Sequence, residues 1–90
     1  MVTIRERWGM DWSDCDLVEV VPGKVSGAPL LVGTRIPAEA ITVNYESSRA
    51  KGMSLDEAIA EVSANYPGAG IHRIKSLLTY YRDRQPQHQP

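Results

Sequence analysis

Ser54-Leu55-Asp56-Glu57-Ala58-Ile59-Ala60-Glu61-Val62-Ser63-Ala64-Asn65-Tyr66-Pro67-Gly68-Ala69-Gly70-Ile71-His72-Arg73-Ile74-Lys75-Ser76-Leu77-Leu78-Thr79-Tyr80-Tyr81 contains two helical patterns separated by one short break. Ser54 and Glu57 have the spacing of a capping box. The serine hydroxyl can accept from the Glu57 N–H while the glutamate reaches back to the Ser54 N–H. Leu55, Ala58, Ile59 and Val62 then recur every three or four residues, with Tyr66 extending the stripe. Pro67-Gly68 stops this helix. A third helix is predicted from about Gly70 to Arg84, its stripe made of Ile71, Ile74, Leu77, Leu78 and Tyr81. Two amphipathic helices across a tight turn form a helix-turn-helix arrangement.

Working back toward the N-terminus, Pro37 suits a first helical position, because its fixed φ fits there and its missing N–H costs nothing. A helix is predicted from about Pro37 to Lys51 with a sparse stripe of Ala38, Ile41, Tyr45 and Ser48, ended by Gly52 as a C-terminal cap. Leu17-Val18-Glu19-Val20-Val21 is β-branched and bounded by Pro22-Gly23, so it reads as a strand. Leu30-Leu31-Val32 reads as a second strand, and the glycines between them as a tight hairpin turn. In the first residues, Val2, Ile4 and Trp8 fall on one face of an alternating segment, a short strand or ordered arm that Glu6 interrupts. Residues 9–16 read as a loop in which Trp12 covers a core edge. The tail 85–90 is polar and proline-containing, and is expected to be disordered. The expected fold class is α+β: short N-terminal strands or a hairpin, then a three-helix helix-turn-helix domain. The arm or strand takes residues 1–16, the folded domain 17–84 and the tail 85–90.

Ninety residues allow one domain. A chain of this size buries only about 60% of its unfolded surface, so a deep catalytic pocket is not expected. Phe is absent, and the core must rest on Val, Ile, Leu and Ala. The single cysteine, Cys15, excludes an internal disulfide or a cysteine metal cluster and reads as a small residue in a reducing compartment. No apolar run approaches the roughly 20 residues of a membrane-spanning helix. The start of the chain lacks the apolar core of a signal peptide. A cytoplasmic location and no membrane association are expected.

The net charge of −1 conceals a split. Residues 1–37 carry four cations against five anions, and residues 38–66 two against five. Residues 67–90 carry four, Arg73, Lys75, Arg82 and Arg84, against Asp83 alone. A basic C-terminal helix beside an acidic middle suggests an oriented surface that meets nucleic acid or an acidic protein.

The run Val21-Pro22-Gly23-Lys24-Val25-Ser26-Gly27-Ala28-Pro29-Leu30-Leu31-Val32-Gly33-Thr34-Arg35-Ile36-Pro37 resembles the signature of the domain-of-unknown-function 433 family. Gly52-Met53-Ser54-Leu55-Asp56-Glu57-Ala58-Ile59 and Asn65-Tyr66-Pro67 resemble its later blocks, so the likeness covers roughly residues 17–82. The resemblance implies a hairpin followed by a helix-turn-helix. Many members resemble VapB-type antitoxins encoded beside a PIN-like ribonuclease toxin, which implies binding to such a toxin and to operator DNA. This chain departs from the pattern twice. The stretch around Glu46-Ser47-Ser48-Arg49-Ala50-Lys51 is about one helical turn longer, which puts the helix packing in question. The third helix starts at Gly68-Ala69-Gly70 without an acidic or hydroxyl cap.

If the third helix is a recognition helix, His72, Arg73, Lys75, Ser76 and Thr79 are the residues that reach DNA. The competing reading is a solvated amphipathic helix whose basic end complements its own dipole. Asp56, Glu57 and Glu61 on the neighbouring helix would oppose a phosphate backbone. Arg35 is either a partner or anion contact, or a structural bridge that locks hairpin to helix through carbonyls or a carboxylate, the favoured reading. Gly23-Lys24 is not a phosphate loop, since Val18 and Val25 occupy the positions that need Gly and Ser or Thr. No metal-ligand spacing, catalytic constellation or cofactor motif is present, so an enzyme is not expected. A two-strand hairpin with an open edge and a thin core, together with the arm residues Val2, Ile4 and Trp8, points to a homodimer. The leading expectation is an antitoxin-like module. The alternative is a protein-binding adaptor or structural homodimer with no nucleic-acid role.

Overall fold

The computed structural model describes residues 12–84. Two short strands, β1 (Val18–Glu19) and β2 (Leu30–Leu31), pair antiparallel in the register Val18↔Leu31 and Glu19↔Leu30. Three helices follow: α1 (Ala38–Ala50), α2 (Leu55–Asn65) and α3 (Ile71–Arg84). The fold is therefore α+β, a two-stranded antiparallel sheet leading into three helices that pack against one another. The expectations for Val2, Ile4 and Trp8 and for the tail lie outside the described residues.

The capping box at the start of α2 forms as the sequence requires. The Glu57 N–H donates to Ser54 Oγ at 3.1 Å, and the Ser54 N–H donates to Glu57 Oε1 at 2.9 Å. Helix α1 begins one residue after Pro37 and ends in a Schellman arrangement. Gly52 has φ +95°, its N–H donates to the Arg49 carbonyl, and the Met53 N–H donates to the Ser48 carbonyl. Those two bonds satisfy carbonyls that the helix end leaves unpaired.

The strands are shorter than the apolar runs suggested, and the connection is not a tight turn. In the observed register Pro29 would fall opposite Val20, and the pairing does not continue to that position. The ten residues between the strands carry a compact left-handed turn, with φ +49° at Val25, +57° at Ser26 and +78° at Gly27. On the far side of β2 the chain returns against it. The Leu31 N–H donates to the Ile36 carbonyl at 2.9 Å and the Ala38 N–H to the Pro29 carbonyl at 2.9 Å. One edge of β2 is thereby closed, while the outer edge of β1 meets no strand among the described residues.

The core joins one face of each helix to the N-terminal segment. Ala38, Ile41 and Tyr45 of α1, Ala58, Ile59 and Val62 of α2, and Ile74, Leu77 and Leu78 of α3 are buried together with Trp12, Cys15 and Leu31. Each large aliphatic side chain buried there contributes about 1.5–3 kcal/mol. The sparse α1 stripe is real and gains Thr42, whose hydroxyl donates to the Glu39 carbonyl at 3.0 Å. The last turn and a half of α1 packs into the fold. Ser48 is buried, and Glu46 accepts a 2.7 Å hydrogen bond from the Tyr81 hydroxyl of α3. Ile71 departs from the expected α3 stripe: it is 40% exposed, because at about 100° per residue it falls toward the border that carries Lys75 and Arg82. Trp12 lies inside the core at 3% exposure, stacked on Tyr80 with ring centroids 5.7 Å apart.

Candidate nucleic-acid interface

Helix α3 presents its functional candidates because its opposite face is committed to the core. With Ile74, Leu77 and Leu78 buried, a helical advance of about 100° per residue turns His72, Ser76, Thr79 and Asp83 outward, with Lys75 and Arg82 along one border. All six are exposed. Among the described residues, the side chains of His72, Lys75, Ser76 and Arg82 make no hydrogen bond or ion pair. Thr79 differs: its hydroxyl donates to the Lys75 carbonyl one turn back at 2.9 Å, which leaves the oxygen free to accept.

The four α3 cations are not equivalent. Arg73 turns to the other border and donates from Nη1 to the Val32 carbonyl at 2.6 Å, tying the helix to the turn after β2. Arg84 places its guanidinium 4.0 Å from the centre of the Tyr80 ring, a cation–π contact on the ring that stacks with Trp12. Lys75 and Arg82 remain free. Arg82 is absent from the sequence-derived set, although its spacing of two turns from Lys75 puts both on one border.

Arg35 is exposed and makes no hydrogen bond or ion pair among the described residues. The bridge between hairpin and helices expected of it is made by Arg73. The turn that carries Arg35 is nevertheless rigidly built. Thr34 Oγ1 donates to the Leu31 carbonyl at 2.8 Å and accepts from the Ile36 N–H at 3.0 Å, and the Gly33 N–H donates to the Glu19 carboxylate at 3.0 Å.

The acidic residues of α2 stand partly out of the way. Asp56 and Glu57 lie in its first turn, where they complement the helix dipole and where Glu57 also completes the capping box. Eight residues of helix, about 12 Å, separate Glu57 from Asn65 at the end of α2, whereas Glu61 is four residues, about 6 Å, from that end. The first distance exceeds the Debye length of roughly 8 Å at physiological salt, so the repulsion of Asp56 and Glu57 at the start of α3 is screened, while that of Glu61 is not. Burial disfavours ionisation of three side chains and raises their pKa, none of them on the exposed border: the Cys15 thiol, the Tyr80 hydroxyl and the Tyr81 hydroxyl. For Tyr81 the hydrogen bond to Glu46 adds to the effect. Among the described residues no group of three His, Cys, Asp or Glu comes together as metal ligands, and no helix is long and apolar enough to cross a membrane.

No family model, curated protein or solved structure matches this chain.

Proposed function

We propose that the chain is an antitoxin-like module that acts as a homodimer, touches operator DNA through α3 and binds a PIN-like ribonuclease toxin through another surface, without chemistry of its own. The observation that carries the DNA half is the border of α3. His72, Lys75, Ser76 and Arg82 are exposed and have no partner within the described residues, whereas the other two cations of the helix are spent on the fold. Side chains of these types read base edges and neutralise phosphates. The toxin half rests on the motif resemblance across residues 17–82 alone. The dimer rests on the open outer edge of β1, which a second copy can cover.

A second reading is favoured by the hairpin. Val20 at 49% and Val32 at 43% exposure are apolar side chains on short strand ends, the kind of surface a protein partner covers. On that reading the chain is an adaptor with no nucleic-acid role. Titration of the DNA upstream of the gene at several salt concentrations, with and without the product of the adjacent gene, separates the two. The antitoxin reading requires salt-dependent binding to that DNA, strengthened by a nuclease partner. No binding at low salt in either mixture removes the DNA half. Light scattering that gives a mass near 10 kDa at micromolar concentration removes the dimer.

A further inference from the structure

We infer that Arg35 forms the second border of the α3 interface, a contact to the nucleic-acid backbone held in position by Arg73; the inference rests on the DNA reading of α3. The turn 32–36 is tied to α3 at one end and lies against the α2–α3 connection at the other. The Val32 carbonyl accepts the 2.6 Å bond from Arg73, and Ile36 Cδ1 approaches to 3.9 Å the point where a Cβ on Gly68 would lie. Arg35 sits between these two anchors. The hydrogen bonds of Thr34 and of Glu19 with Gly33 hold the intervening backbone. A long cationic side chain on a rigid turn, exposed and unpaired, has lost little freedom and gained no intramolecular partner, so its charge remains available. Glu19 is engaged with the Gly33 N–H and forms no ion pair with it.

The placement matters because of where Arg73 points. Arg73 leaves α3 on the side opposite Lys75 and Arg82, with Ser76 and His72 between the two sides. The turn that Arg73 holds therefore carries Arg35 along that side. Cations then line both borders of a strip whose middle is His72, Ser76 and Thr79. A helix in a major groove about 12 Å wide has a phosphate strand on each side of it. Contacts to both strands fix its register, and base-facing side chains in the middle read sequence. A guanidinium suits the phosphate role, because its planar fork can give two hydrogen bonds to one phosphate. On this geometry Arg73 is a positioning residue, with its own charge directed to a carbonyl, and Arg35 is the contact.

The test is a fluorescence-anisotropy titration with a mixed-sequence duplex of about two helical turns, over a series of salt concentrations, with the melting midpoint of every variant measured beside it. Three free cations, Lys75, Arg82 and Arg35, predict a slope of log affinity against log salt of about −2.7 per chain, at roughly −0.9 per phosphate. Lys75→Ala and Arg35→Ala are each expected to flatten it by about 0.9 without moving the melting midpoint. Lys51→Ala, in the connection between α1 and α2, leaves it unchanged. In an Arg73→Ala background, Arg35→Ala has a smaller effect than in the parent, and Arg73→Lys restores it. If the parent binds and Lys75→Ala flattens the slope while Arg35→Ala does not, the inference fails and the α3 reading stands. If Arg35→Ala lowers the melting midpoint by several degrees, Arg35 is a structural residue and the inference fails. If the parent shows no binding at low salt, the interface itself fails and the inference with it.

Discussion

Trp12 offers the sharpest test of the packing, because two opposing terms act at one side chain. It is 3% exposed and stacked on Tyr80, yet its indole N–H is buried without an acceptor. Replacing it by alanine exposes or empties an aromatic contact of about 150–250 Å², worth roughly 4–6 kcal/mol at about 25 cal/mol per Å². The unfolded chain already hides part of that area, which lowers the figure. Removing the unpaired N–H returns about 1–3 kcal/mol. The expected net loss for Trp12→Ala is about 3 kcal/mol. A domain of this size has a total stability of roughly 5–13 kcal/mol, so the variant stays folded but is visibly weakened.

At about 4–8 °C per kcal/mol for a chain of this length, the melting midpoint should fall by roughly 12–24 °C. Far-UV circular dichroism is the appropriate probe, since the substitution removes one of the two tryptophans. Trp12→Phe keeps a ring against Tyr80 and removes the orphaned donor, so it should cost less than about 1.5 kcal/mol. A Trp12→Ala midpoint within about 0.5 kcal/mol of the parent would refute the burial of Trp12. A Trp12→Phe loss as large as that of Trp12→Ala would show that the indole N–H contributes a bond after all.

Ser54→Ala removes one half of the reciprocal capping box and should cost about 1 kcal/mol in a urea titration, with no change if α2 starts elsewhere. Burial raises the pKa of the Tyr80 and Tyr81 hydroxyls in the folded state, so the folded protein binds more protons than the unfolded chain once the unfolded tyrosines begin to ionise. Their contribution is complete below about pH 10 and is lost as pH rises above it; alkaline melts should show this decline, and Tyr81→Phe should reduce it. Val25→Asn should raise stability by about 1 kcal/mol by thermal melt, since a β-branched residue at φ +49° is strained and asparagine tolerates that region.

What could be read from the sequence was the helices, because each depends on residues close together in the chain. Ser54 and Glu57 are three apart, and the stripes of α1 and α2 appear where three- and four-residue spacing puts them. Ile71 fits the same spacing but is exposed, since periodicity identifies a face and not how far around the helix that face is covered. The strands formed are shorter than the apolar runs, because β-branched residues favour an extended backbone without fixing how far a partner strand runs beside it, and here the pairing stops at Glu19 and Leu30. The roles of the arginines could not be read. Arg73 and Val32 are 41 residues apart, and Tyr81 and Glu46 are 35 apart. Nothing local distinguishes an arginine that will find a carbonyl from one that will not, so the bridging role fitted Arg35 as well as Arg73. Only the packing of the turn after β2 against α3 separates them.

The same separation limits how tightly a single chain can hold DNA. Four cations on α3 suggest a steep salt dependence, but Arg73 is bound to the Val32 carbonyl and Arg84 lies over the Tyr80 ring. With Lys75, Arg82 and Arg35 as the available charges, a rise from 50 to 200 mM salt should weaken one chain by about 40-fold, and a dimer by about 10³-fold. A monomer slope near −3.6 would need a fourth phosphate contact, and on α3 the cations left for it are Arg73 and Arg84. If α3 supplies that contact, binding has to open the fold at one of two places. Releasing Arg84 unmasks the ring that stacks with Trp12, so indole fluorescence should change with DNA saturation. Releasing Arg73 frees the turn after β2, and amide hydrogen exchange at Gly33 and Thr34 should accelerate in the complex. A slope near −2.7 with neither signal means that α3 engages DNA as a preformed surface.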